Sequence, residues 1–235
     1  IMFPLLQQKG LSRKGAAEKA KQQLQAFAMD AYESHHPHML SGGQQQRIAL
    51  IRALIVAPQL VLLDEPFANL DATLRHRIRE DTRRMVKASE TAALLVTHDP
   101  EEALRMADRI YVMEEGRIVQ YGVPYALYQR PVNGFVAGFF GELNTIEVTI
   151  RENHALTPFG TVDVSKVACE NIGKIHCEPM ENDTHASLYI RPEAMTLTTK
   201  RKGTPAIVES SHFMGLASML YVRLTHPAYE DTLLR

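Results

Sequence analysis

The spacing of apolar residues changes period along the chain, and each change marks a different kind of element. Between residues 9 and 34, Ala16, Ala17, Ala20, Leu24, Phe27 and Ala28 recur at helical spacing with Lys and Gln between them, which predicts a helix. A second helical run (Ile48, Leu50, Ile51, Leu54, Ile55) follows Ser41, a favoured N-cap, so a helix is expected over 41–56. Leu60, Val61, Leu62 and Leu63 then form a short unbroken apolar run, and Leu94, Leu95 and Val96 form another. Such runs fit strands buried on both faces, as in a parallel sheet. Residues 72–89 between them read helical, with Arg75, Arg79 and Arg83 on one side. The whole is about one strand–helix–strand unit, whose right-handed crossover would bring both strand ends to one edge of the sheet. Further on, 109–113 and 117–121 flank Glu114, Glu115 and Gly116, a hairpin signal. Pro124 opens a short helix to about Gln129, and 132–140 makes another. From Gly141 the texture changes to short runs rich in β-branched residues: 145–150, 160–164, 186–190, 206–208 and 219–224. Turn residues separate them, which suggests a small barrel or sandwich.

Chemistry gathers at the ends of the first two predicted strands and at one helix start. Ser41, Gly42 and Gly43 precede the second helix, where free N–H groups and the helix dipole attract an anion and glycines allow close approach. Arg47 and Arg52 add positive charge; an ordinary capped helix is the plainer alternative. Asp64 and Glu65 follow the first apolar strand, at the end where open α/β sheets place ligands. There Asp64 could hold Mg²⁺ and Glu65 could orient a water attacking a terminal phosphate. His98 follows the second strand and could hydrogen-bond the same phosphate; alternatively it caps the helix starting at Asp99, Pro100 and Glu101. Asp71 reads as an N-cap for the helix after it.

Taken together, these residues resemble the nucleotide-binding subunit of ATP-binding cassette (ABC) transporters. Residues 40–44 match that family's signature, 61–65 its Walker B segment with the catalytic Glu, and His98 its switch histidine. Asn69, Leu70 and Asp71 match its D-loop. The resemblance implies a partial P-loop NTPase-like α/β cassette, a helical subdomain plus parallel-sheet core, over residues 1–141. It implies ATP and Mg²⁺, with Asp64 at the metal and Glu65 and His98 catalytic. Ser41, Gly42, Gly43 and Gln44 would touch ATP held by a second cassette, and Asp71 would signal across that interface. Ile190, Arg191, Pro192 and Glu193, with Phe213, Met214 and Gly215, resemble the accessory domain of importer ATPases. That implies an all-β, OB-like (TOBE-type) regulatory domain over 142–235, incomplete at its end. The expected partners are a second copy, transmembrane permease subunits and, indirectly, a periplasmic or extracellular substrate-binding protein. The expected place is peripheral, on the cytoplasmic face of the inner membrane. Phe139 to Asn144 and the barrel lean towards ferric iron as cargo, beside polyamine, sulfate or sugar.

The chain also departs from that pattern. A phosphate loop with its Lys and Mg²⁺-binding Ser or Thr is absent from the sequence, as are the adenine-stacking aromatic and the Q-loop glutamine. The chain therefore reads as a fragment or truncated product, whose isolated behaviour is expected to be that of a non-catalytic binding piece. Ile51 stands where the family has a small residue, which bears on packing behind the signature helix. A non-transport cassette is a further alternative, against which the accessory barrel speaks.

Composition narrows the partners. With formal net charge −1, no strong field favours nucleic acid, and the basic stretch 75–84, broken by Glu80 and Asp81, reads as a solvated helix face. No apolar run approaches the ~20 residues of a membrane span. The two cysteines, Cys169 and Cys177, suggest no disulfide framework, and with His176 they match no standard zinc spacing. His35, His36 and His38 flank Pro37 in an expected surface turn.

Overall fold

A computed structural model describes residues 1–7, 10–68, 70–152, 154–163, 184–199, 203–227, 229 and 232–235. Packing divides the chain into two units, Ile1–Ala107 and Asp108–Arg235.

The first unit runs α1 (Met2–Leu6), α2 (Arg13–Ala26), two 3-10 turns (Asp30–Tyr32 and Pro37–Met39), α3 (Gly42–Leu54), β1 (Leu60–Asp64), α4 (Ala72–Ala88), β2 (Ala92–Val96) and α5 (Pro100–Met106). The helix expected over 9–34 is shorter because it closes in a left-handed cap. Ala28 turns to φ 52°. The Met29 and Ala28 amides then reach back to the Leu24 and Gln25 carbonyls, at 2.8 and 3.1 Å. Leu24, Met29, Leu50, Ile51, Leu54, Val61 and Met85 form one core joining α2, α3, β1 and α4. Ile51 is wholly buried there, so the bulkier side chain fills space behind α3.

Strands β1 and β2 pair in parallel, Leu62 opposite Leu94 and Asp64 opposite Val96. Their expected burial on both faces is not met. Val61 packs into the core, but Leu62 is 68 % exposed, and Leu60, Leu94 and Val96 are exposed beside it. Alternation along the strands sends these side chains to the opposite face, which no described residue covers.

The second unit opens with the hairpin β3 (Ile110–Glu114) and β4 (Arg117–Gly122). Its turn has Glu115 and Gly116 both at positive φ, 49° and 77°, as a two-residue hairpin loop matched to strand twist requires. α6 (Pro124–Gln129) and α7 (Gly134–Phe139) follow, the latter capped by Asn133. Next come β5 (Asn144–Arg151), β6 (His154–Thr157), β7 (Gly160–Asp163), β8 (Thr184–Ile190), β9 (Ala206–Phe213), β10 (Ser218–Leu224) and β11 (Leu233–Leu234). These make a four-stranded sheet, β7-β6-β5-β8, and a three-stranded sheet, β11-β10-β9. All their pairings are antiparallel. Ile146, Val148, Ala155, Leu188 and Ile190 from the first sheet share a core with Leu224 and Leu234 from the second. β6 and β11 were not expected from the pattern; each is short and carries few β-branched residues. Asn69, Val164, Cys169, His176 and Cys177, singled out in the sequence, lie outside the described residues.

Candidate active site

Residues 64, 65 and 98 come together because β1 and β2 are parallel neighbours. The Glu65 amide donates to the Val96 carbonyl at 2.9 Å, which carries the ladder one step beyond the strands. Glu65 then sits at φ 43°, a left-handed conformation unusual for a residue with a β-carbon. Such a backbone persists where its surroundings over-determine it. Here the carboxylate is caught by the other strand's end: Oε1 accepts the His98 amide at 3.1 Å and lies 2.7 Å from His98 Nδ1. Both contacts fall on the same oxygen. The hydrogen bond from Glu65, then its charge, raises the pKa of the exposed imidazole above the ordinary histidine value. Asp64 is exposed at the end of β1 and forms no ion pair among the described residues.

A lone exposed carboxylate suits Mg²⁺, which takes one or two carboxylates, substrate phosphates and several waters instead of a protein cage. Among the described residues no cluster of three or more His, Cys, Asp or Glu is placed to hold a metal by itself.

The helix tip is built by a capping box. Ser41 Oγ accepts the Gln44 amide at 3.4 Å, while Gln44 Oε1 accepts the Ser41 amide at 2.8 Å. Gln44's side chain is thus engaged by the cap. Gly43 serves packing: a β-carbon there would lie 2.7 Å from Ile78 Cδ1 and 3.2 Å from Leu74 Cδ2, so any larger residue would have to push these side chains aside where α3 meets α4. Gly42 is exposed, and a β-carbon there would lie 3.6 Å from Leu70 Cδ2, an ordinary contact. Arg47 is ion-paired to Asp81 on α4, so its charge is already matched within the chain. Asp71 caps α4, its Oδ1 accepting the Leu74 amide at 2.9 Å.

Asp99, not His98, caps α5: Asp99 Oδ1 accepts the Glu101 and Glu102 amides at 2.8 and 3.2 Å. The imidazole is therefore left for Glu65. Behind this loop lies a group that the sequence reading missed. Arg79 is buried, 4 % exposed, which corrects the view of stretch 75–84 as a solvated face. Its guanidinium meets Asp99 at 2.5 Å, Glu102 at 2.9 Å and Glu101 at 3.2 Å. Burial pushes its pKa down, but the Glu102 hydrogen bond and the Asp99 and Glu102 charges outweigh this and hold it above its usual value. The acidic first turn after Asp99 has one cation near it in sequence, Arg105, which pairs with Glu101 at 2.9 Å, so nothing local pointed Asp99 and Glu102 to Arg79.

Comparison with known proteins bears on this geometry. Residues 4–68 match the family described as ABC transporter. The chain is 39 % identical to the Fe(3+) ions import ATP-binding protein FbpC of Rhizobium etli, over 89 % of this chain and 58 % of that protein. It is 36 % identical to the sulfate/thiosulfate import ATP-binding protein CysA of Halalkalibacterium halodurans, over 89 % of this chain and 56 % of that one. A further FbpC, from Brucella melitensis, is 41 % identical over 84 % of this chain and 54 % of its own length. The chain thus spans little more than half of these curated relatives. The resemblance drawn from the motifs is borne out: to the ABC family by the family match, and to importer ATP-binding subunits by these relatives.

Proposed function

We propose, from this kinship with import ATP-binding proteins, that the chain is the hydrolytic portion of an ABC importer's energy-coupling subunit. The observation that carries the reading is the meeting of Glu65 and His98 on one carboxylate oxygen, beside Asp64, at the ends of neighbouring parallel strands. ATP is the substrate. Asp64 would hold Mg²⁺, which when bound offsets phosphate charge. Glu65 orients the attacking water, and His98 hydrogen-bonds the terminal phosphate. Positioning and charge do most of the catalytic work in phosphoryl transfer, so a pre-set carboxylate and imidazole suit it.

On this reading Ser41, Gly42, Gly43 and Gln44 present their helix tip to the nucleotide of a second copy, with Asp71 at the shared interface. Closure of the two cassettes would drive permease subunits served by a substrate-binding protein. The kinship with import ATP-binding proteins supports peripheral attachment at the cytoplasmic face; among the described residues no helix is long and apolar enough to cross a membrane. Residues 1–141 form the cassette portion and 142–235 an OB-like regulatory domain. The two antiparallel sheets around one core support the latter. The packing division falls earlier, at Asp108, and Arg191, just past β8, bonds back to the Tyr128 and Ala137 carbonyls within the same unit. Ferric iron is the preferred cargo, after the relatives named for it.

The test is Glu65→Gln in a longer chain that carries a phosphate loop. Turnover should be lost while ATP binding is kept; near-normal turnover removes Glu65 from the role. A second reading has its own support. For the 235 residues alone, the uncovered apolar face of β1 and β2 favours a binding piece without catalysis. Its expected behaviour is weak ATP affinity, and tight Mg²⁺-dependent binding contradicts it.

A further inference from the structure

We propose that Arg79 is a positioning residue for His98, holding Thr97, His98 and Asp99 through the Asp99 and Glu102 carboxylates so that the imidazole meets Glu65. The proposal rests on the hydrolytic reading of that pair and adds a residue on α4 that, among the described residues, forms no hydrogen bond or ion pair with either member of it.

The His98 side chain is 80 % exposed. Packing therefore does little to hold it, and fixing an exposed side chain costs rotamer entropy. What is held instead is the backbone on either side. Thr97 Oγ1 donates to Glu102 Oε2 at 2.6 Å and accepts the Asp99 amide at 3.0 Å. Asp99 divides its oxygens, Oδ1 taking the α5 amides and Oδ2 taking Arg79. Glu102 divides its own between Thr97 and Arg79. These bonds form a closed ring around residue 98, and Arg79 is its buried cation.

The ring depends on that cation because Glu102 is itself only 3 % exposed. A buried carboxylate without a partner must take up a proton or turn outward. Either change weakens the hold on Thr97. Arg75, one turn earlier on α4, supports the same arrangement, donating to the Leu70 carbonyl at 2.9 Å and lying 3.9 Å from Asp99. One helix thus registers the segment that ends in Asp71 against the segment that carries His98.

The experiment is nitrogen NMR of the His98 ring in the full 235-residue chain labelled at histidine. Glu65→Gln supplies the signature of a released imidazole. In Arg79→Met the His98 Nδ1 resonance should leave the parent position and move towards that of Glu65→Gln. Thr97→Val, which exchanges the hydroxyl for a methyl and so removes both of its bonds, should move it the same way. Ile78 methyl signals report whether the α3–α4 packing survives, and where Arg79→Met fails to fold, Thr97→Val alone decides. A resonance that stays at the parent position overturns the proposal, as does a parent resonance already equal to that of Glu65→Gln. The readout needs no nucleotide. Normal turnover in the longer Glu65→Gln chain would sink the hydrolytic reading without touching it, and an unmoved resonance would sink only the role of Arg79.

Discussion

Each unit of this protein is tied together by one arginine, and the two ties are made of different material. In the first unit Arg79 is almost wholly buried and held by the carboxylates of Asp99, Glu101 and Glu102. In the second, Arg191 is half-buried and held mostly by neutral groups. Its Nη2 donates to the Tyr128 carbonyl at 3.3 Å and the Ala137 carbonyl at 3.2 Å, and its guanidinium lies 4.0 Å from the centre of the Tyr128 ring. Tyr128 in turn bonds Glu193 through its hydroxyl, an interaction that raises the phenol's pKa. The lesson concerns what is left behind when the cation goes. Removing Arg79 strands charge in a dry place, whereas removing Arg191 strands two carbonyls and an aromatic face. The first tie braces the turn between β2 and α5, and the second joins α6 and α7 to the segment after β8.

The largest expected effect breaks the comparison at its strong end. Arg79→Met should destabilise the first unit by about 3–5 kcal/mol, as expected when one partner of a buried ion pair is lost. Arg191→Met should destabilise the second by about 2 kcal/mol, from a cation–π contact and two modest hydrogen bonds. The units can be followed separately in urea. Of the eight tyrosines only Tyr32 lies in the first unit, so tyrosine fluorescence follows the second. Helical circular dichroism is dominated by the long helices α2, α3 and α4 of the first. Equal losses would mean that charge compensation does not distinguish the two ties.

A smaller effect sharpens the picture of how α4 is seated. Gly43→Ala gains up to about 1 kcal/mol of helix propensity but forces a methyl against Ile78 and Leu74, and overpacking costs about 1–3 kcal/mol. The net should be a loss of about 1 kcal/mol by urea unfolding. Combining it with Ile78→Val, which removes the nearest atom, should make the pair of changes less costly than their sum. Full additivity would show that α3 and α4 have room to spare, and α4 would then be a poor platform for Arg79.

The same contrasts separate what the sequence encodes locally from what only the fold supplies. Ser41, Asp71, the β1 and β2 runs and the Glu115–Gly116 turn rest on local rules: caps, periods and positive φ. The convergence of Glu65 and His98 needed one further rule, the handed crossover between parallel strands. Arg79 was misjudged because charge runs are usually solvated, and nothing local distinguishes it from Arg77 or Arg83. Its partners come 20 to 23 residues later, on another helix. The function expected of Gly43, access for a ligand, hid its steric task because its contacts with Leu74 and Ile78 also span the fold. Likewise, periodicity could identify Leu62 and Leu94 as strand residues but not say which face would be covered. What a tertiary partner supplies, a local pattern cannot encode.

The smallest effect concerns pH. Because Glu65 raises the imidazole's pKa in the folded chain, this contact adds stability fully below the unfolded histidine value of ~6.5 and loses it as pH rises through the higher folded value. The group is exposed, so the change in unfolding midpoint will be slight, and it is best read as a difference between the parent and Glu65→Gln across that window. The His98 titration itself is the more direct measurement: Glu65→Gln should lower its midpoint towards ~6.5, since the first and largest cause of the rise is removed. Arg79→Met pulls in two directions. Freeing the loop lowers the midpoint by separating His98 from Glu65, while uncovering Asp99 and Glu102 raises it, because both carboxylates also favour the charged ring. A midpoint that falls in Arg79→Met would show that the contact with Glu65 outweighs the field of the uncovered acids. A midpoint that rises, with the Nδ1 resonance unmoved, would make Arg79 a screen for those acids and not the residue that sets the loop.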